Sequence, residues 1–174
     1  MLLSIQQKYI MTALRELRCL RAEQLQTILQ GHFDWPEPEA ARRRMDAMLR
    51  QMCGGMGDVH SDGKFVWLGH VQPDARILEA VDVMLELSEG RPQDFSAECW
   101  NPELLRFSLC GSSLRLFIVA TLSTPSCGNE LAGDSPGRVV WISDSGTSPP
   151  GLALPPKPFF AARQPDGSHR FYGS

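Results

Sequence analysis

The sequence predicts an α+β protein built in two parts. Three helices closed by a β-hairpin come first, then a helix packed on a small, mainly antiparallel sheet. Three observations carry this reading. Apolar residues recur at helical spacing through residues 10–52. An Asp62-Gly63 pair lies between two apolar runs, the pattern of a tight hairpin turn. Beyond residue 103 the apolar residues gather in short β-prone runs, separated by stretches rich in Pro, Gly and Ser. With 174 residues, 43% of them apolar and 21% charged, the chain can bury a core, and wholesale disorder is excluded.

Helix one is expected from about Ser4 to Arg18, where Ile10, Leu14 and Leu17 fall on one face and no Gly or Pro intervenes. Cys19 and Leu20 then make a short turn. Leu25, Ile28 and Leu29 mark a second helix from about Arg21 to Gln30, with Gly31 as its stop. Helix three begins near Pro36–Pro38, with Asp34 as its cap. Its apolar stripe is Ala41, Met45, Met48 and Met52, widened by Leu49; Arg42, Arg43, Asp46 and Arg50 lie largely off that stripe. Gly54, Gly55 and Gly57 end it and permit a sharp reversal. Met56–His60 and Lys64–Gly69 then pair across Ser61-Asp62-Gly63.

The second part, residues 72–174, opens with a helix starting at Gln72-Pro73-Asp74. Ile77, Leu78, Val81, Met84, Leu85 and Leu87 give it a broad apolar face, suited to burial against a sheet. Leu104–Leu109 and Leu114–Leu122 form a hairpin across Cys110–Ser113, and Arg138–Ser143 is a further strand. Phe159–Arg163 and His169–Tyr172 form a final hairpin, and Gln93–Trp100 adds an edge strand. Residues 123–137 and 144–157 read as loops.

Helix, helix, helix, two-stranded ribbon over residues 1–71 is the order of a winged helix-turn-helix domain. The segments LRAEQLQTIL, PEAARRRMDAMLRQM and VHSDGKFVWLG resemble the winged-helix module of bacterial DNA-associated proteins. The likeness rests on the R-A-E-Q-L opening of helix two, the arginine-bearing helix three and the D-G-K wing tip. Within that fold the chain is similar to an uncharacterised family carried on bacterial mobile elements, distantly akin to replication-relaxation proteins. The resemblance implies duplex DNA contact and a regulatory or maintenance role on such an element, with no established reaction. The departure from it is weak basicity, since Glu37, Glu39 and Asp46 share helix three with the arginines.

Charge narrows the partner. Residues 1–70 carry a net +1 and residues 71–174 a net −4, so the chain, at −3, is no general nucleic-acid coat. A local basic face remains, and its DNA-contact candidates are Arg42, Arg43 and Arg50 on helix three and Lys64 beside the wing turn. Arg44 is less clear, and Lys8, Arg15, Arg18 and Arg21 are weaker candidates for phosphates. The competing reading is a solvated helix face with Glu39–Arg43 or Asp46–Arg50 pairs.

Nothing declares an enzyme. A metal-dependent nuclease would need clustered carboxylates and a nearby lysine. Glu79, Glu98, Glu103 and Asp144 supply acids, but beyond residue 64 the one lysine is Lys157 and no strand carries Glu-x-Lys. His32, His60, His70 and His169 show no zinc spacing, and the five cysteines form no CxxC pair. No phosphate-cradling glycine loop or G-x-S-x-G is present, so no cofactor or metal is expected. Trp35, Trp67, Trp100 and Trp141 read as packing residues. No uncharged run approaches the about 20 residues of a membrane span, and the opening MLLSIQQKYI turns polar too soon for a signal peptide. The expectation is a cytoplasmic protein with no membrane partner. A homodimer formed through residues 72–174 would offer two recognition helices to two half-sites. The alternative is a protein–protein interaction module on a winged-helix scaffold, which the near-zero charge of residues 1–70 suits.

Overall fold

A computed structural model describes residues 2–53, 58–98, 103–109, 115–121, 137–145, 154 and 157–173. The glycine stop at Gly54, Gly55 and Gly57, the turn at Cys110–Ser113, Trp100, and most of the stretches 123–137 and 144–157 lie outside the described residues. The described residues form a mixed α+β fold with four helices and two sheets.

Helix α1 runs Ile5–Leu17 and starts on a reciprocal cap. The Ser4 hydroxyl accepts the Gln7 N–H at 3.2 Å, and the Gln7 side chain accepts the Ser4 N–H at 2.9 Å. Ile10, Ala13, Leu14 and Leu17 form its buried face. The expected turn at Cys19–Leu20 is instead a strand, β1 (Cys19–Arg21). It pairs antiparallel with β3, Leu20 opposite Val66, and both side chains are fully buried. The hairpin has an open edge, and three extended residues between two helices are enough to close it.

Helix α2 (Ala22–Phe33) passes through Gly31 rather than stopping there. A Cβ at that position would stand 2.0 Å from the Gly90 carbonyl oxygen, so glycine serves close approach, not termination. The helix stops at Asp34, left-handed with φ 49, whose N–H donates to the Gln30 carbonyl. Asp34 therefore closes α2 and does not cap the next helix. Helix α3 (Pro38–Cys53) buries Ala41, Met45, Leu49 and Met52, with Met48 half-buried. Strands β2 (Val59–Ser61) and β3 (Phe65–Leu68) follow, completing a three-stranded antiparallel sheet in the order β1-β3-β2. At their turn the Asp62 carboxylate accepts the N–H groups of Lys64 at 2.9 Å and Phe65 at 2.7 Å, and Gly63 takes φ 88.

Helix α4 (Ala75–Leu87) is capped by Asp74, which accepts the Arg76 N–H. Strands β4 (Gln93–Ala97), β5 (Glu103–Leu109), β6 (Arg115–Thr121), β7 (Arg138–Ser143), β8 (Phe159–Arg163) and β9 (His169–Gly173) form a six-stranded sheet in that order. The sheet is mixed: β4–β5, β5–β6 and β8–β9 are antiparallel, and β6–β7 and β7–β8 are parallel pairs. Parallel neighbours need crossovers of about a dozen residues or more. Residues 122–137 and 144–158 have that length, whereas their composition alone says only loop.

One apolar cluster joins both parts of the chain. Ile10, Leu14, Leu25 and Met45 share it with Val81, Met84, Phe107 and Val119. A smaller cluster, Ala120, Trp141 and Phe160, occupies alternate positions on β6, β7 and β8. At the seam, Gln24 is 3% exposed and donates to the Leu78 carbonyl and to Asp82, each at 2.7 Å. Arg21 pairs with the same Asp82, and Arg91 reaches Asp34 at 2.7 Å. Among the described residues no helix is long and apolar enough to cross a membrane.

Candidate nucleic-acid interface

The outward side of α3 is defined by what its inward side buries. Ala41, Met45, Leu49 and Met52 face the core, which leaves Glu39, Arg43 and Arg50 exposed and Ala47 half-buried between the two arginines. Arg43 and Arg50 form no hydrogen bond or ion pair among the described residues. They stand two turns apart, about 10 Å along the axis at 1.5 Å per residue. That span matches about three base steps of duplex DNA, at about 3.4 Å each.

The other arginines of the helix are engaged. The Arg42 Nε lies 3.1 and 3.2 Å from the two Asp46 carboxylate oxygens, an i,i+4 pair on the helix surface. Asp46 thereby goes to Arg42 rather than to Arg50. The Arg44 guanidinium sits over the Trp35 ring, 5.5 Å from its centroid. Lys64 is exposed at the β2–β3 turn, its Nζ 5.2 Å from the Phe65 centroid.

The weaker candidates divide. Arg21 is turned to Asp82 at the seam, and Arg18 lines a cavity of about 430 Å³ with Cys19, Asp74 and Glu103. Lys8 and Arg15 are exposed on α1. A hydrogen bond of 3.0 Å from Gln7 Nε2 to Gln51 Oε1 brings the first turn of α1 beside the last turns of α3. Lys8 therefore belongs to the same end of the molecule as Arg50.

An aromatic ladder, invisible as a motif, sets the α2–α3 connection. Tyr9 stacks on His32 at 3.7 Å, His32 meets Phe33 edge-on, and Phe33 stacks on Trp35 at 5.4 Å. Arg44 then closes the ladder from α3. The sequence signal was the dense His32-Phe33-Asp34-Trp35 run, but its partner Tyr9 lies on a different helix.

The carboxylates that a nuclease would need are held by arginines. Arg106 pairs with Glu103 and approaches Glu98 at 3.8 Å. Arg163 pairs with both Glu79 and Asp144. Among the described residues no group of three His, Cys, Asp or Glu side chains is placed to hold a metal ion. Burial, with Asp62 nearby, pushes the Cys19 thiol up to about 11, and burial also raises Cys53, so neither is poised as a thiolate. Chemically, the described surface offers cation recognition of an anionic partner through α3 and the β2–β3 turn. Comparison with protein-family models, curated proteins and solved structures finds no match for the chain.

Proposed function

We propose that residues 1–71 form a winged helix-turn-helix that binds duplex DNA without catalysing a reaction on it. Helix α3 reads the groove, and the β2–β3 turn is the wing. The observation that carries this reading is the pair Arg43 and Arg50, exposed on the outward side of α3 and without partners among the described residues. The element order α1-β1-α2-α3-β2-β3, with sheet order β1-β3-β2, supports it. Lys64 supplies a contact from the wing, and Arg42 one that must compete with Asp46. The setting, regulation or maintenance of a bacterial mobile element in the cytoplasm, follows from the family resemblance. In that setting residues 72–174 serve assembly, including a homodimer.

The test is anisotropy of a labelled random-sequence duplex titrated with the full chain over a range of salt. Binding should weaken steeply as salt rises, because neutralised phosphates release counterions. An Arg43→Ala, Arg50→Ala double variant should bind weakly at every salt concentration and flatten the salt slope by about 2. Arg42→Ala should cost less, and Lys64→Ala should reduce the slope by about 1. Salt-insensitive binding, or a double variant equal to wild type, would sink the reading. A protein–protein role is the second reading, favoured by Leu2, ahead of α1, and Ile5, its first residue, which are 94% and 74% exposed. It predicts no duplex binding even at low salt.

A further inference from the structure

The C-terminal hairpin β8–β9 is fastened to α4 by His169 on β9 and Arg163 on β8. The His169 side chain is 2% exposed and lies between two carboxylates of that helix. Its Nδ1 is 3.1 Å from Glu86 Oε1 and its Nε2 is 3.4 Å from Glu79 Oε1. The His169 backbone N–H donates to Glu86 Oε2 at 3.0 Å. Arg163 of β8 pairs with Glu79, at 2.8 Å from Nη2 to Oε2, and with Asp144 after β7. Asp166, in the hairpin turn, is taken up by Ser168 and does not join the cluster.

Both ring nitrogens face carboxylate oxygens. Only the imidazolium carries a proton on each nitrogen; a neutral ring has one N–H and one lone pair. Whichever tautomer it adopts, a neutral His169 turns that lone pair toward a carboxylate at hydrogen-bond distance. Glu79 would retain Arg163. Glu86 has no other cation among the described residues, so a neutral ring leaves it without a counter-charge there, whichever tautomer forms.

We propose that His169 is a proton-operated clamp, which ties the β9 strand of the hairpin to α4 when protonated and loosens that tie when neutral. Burial opposes the charged ring, but the Glu79 and Glu86 carboxylates outweigh it and raise the histidine above its usual 6.5. A raised folded value means a stabilisation complete below 6.5 and lost as pH rises through that higher value. Glu79 behaves oppositely. Burial opposes its charge, but His169 and Arg163 hold it at about 2, so its contribution is present above 4.5 and lost as pH falls toward 2. The clamp is complete between those limits and opens first on the alkaline side. It stands independently of DNA binding.

The experiment uses the full chain. The His169 ring is titrated by proton NMR, and amide exchange over residues 159–173 is followed across the same pH range after correction for intrinsic rates. The ring should titrate above 6.5, and hairpin protection should fall across that step. Glu86→Gln should move the midpoint down while the step remains. His169→Gln should abolish the step. A ring titrating at or below its usual value overturns the proposal, and so does a step that persists in His169→Gln or a midpoint unmoved in Glu86→Gln. If His169→Gln does not fold, the wild-type titration and Glu86→Gln decide the matter.

Discussion

Arg42, Arg43, Arg44 and Arg50 share one helix, yet among the described residues only Arg43 and Arg50 are left without a partner. Spacing explains why this division is hard to read from sequence. Asp46 is four residues from both Arg42 and Arg50, and the acid-before-base preference on a helix favours Arg50. The structure forms Arg42–Asp46 instead, on a pair whose side chains are 37% and 39% exposed. Such surface pairs contribute about 0.2–0.5 kcal/mol, too little to withhold an arginine from a phosphate. Asp46→Asn should therefore release Arg42, remove a repelling charge and tighten duplex binding several-fold at low salt, with a slope steeper by about 1. The same anisotropy titration checks it. Unchanged or weaker binding would show that Asp46 orients Arg42 for contact rather than competing for it.

Elements with a strong period were legible and those defined by a distant partner were not. Helices α1, α3 and α4 and the β2–β3 hairpin lie where the apolar spacing and the Asp62-Gly63 turn put them. β7 and the terminal β8–β9 hairpin also follow the apolar runs. β1 was missed because three residues hold no period, and β3 supplies the reason for their being extended. The parallel pairs were missed because composition marks a loop but not the direction in which the chain returns. On the candidate site, the sequence indicated the helix and wing that bear the cations. It did not indicate which arginines are engaged, because Trp35 and Asp46 compete for them through geometry. Gly31 is the sharpest case. A glycine near a helix end reads as a stop, but the Gly90 carbonyl pressed against it is 59 positions away. Gly31→Ala puts a methyl group where a backbone oxygen stands, and neither can yield by a rotamer change. Overpacking of this kind costs about 1–3 kcal/mol. Urea denaturation should show a lower midpoint with an unchanged slope. An unchanged midpoint would mean that the turn at Ser88–Arg91 moves aside freely.

At the scale of the whole molecule, the two parts share material that an independent domain keeps to itself. The main apolar cluster runs from Ile10 on α1 to Ala161 on β8 without a break. Gln24 is buried only because Leu78 and Asp82 of α4 accept its amide, and Asp82 also holds Arg21. Separating the parts would exchange the Gln24 hydrogen bonds for bonds to water, at a net cost of about 0.5–1.5 kcal/mol each, and would expose the shared apolar cluster. Unfolding should therefore be one cooperative transition. The tryptophans make this measurable, since Trp35 and Trp67 report on the first part and Trp141, 1% exposed, on the second. Single-tryptophan variants followed by fluorescence should give midpoints that coincide with each other and with far-ultraviolet circular dichroism. Gln24→Leu, which removes the Gln24 hydrogen bonds to Leu78 and Asp82 while keeping its volume, should lower all the midpoints together. Two separated transitions would mean that the Arg21–Asp82–Gln24 seam is marginal and that residues 1–71 can turn against the sheet. A rigid seam instead fixes α3 relative to the six-stranded sheet. Any partner or second copy held by that sheet would then set where the reading helix points.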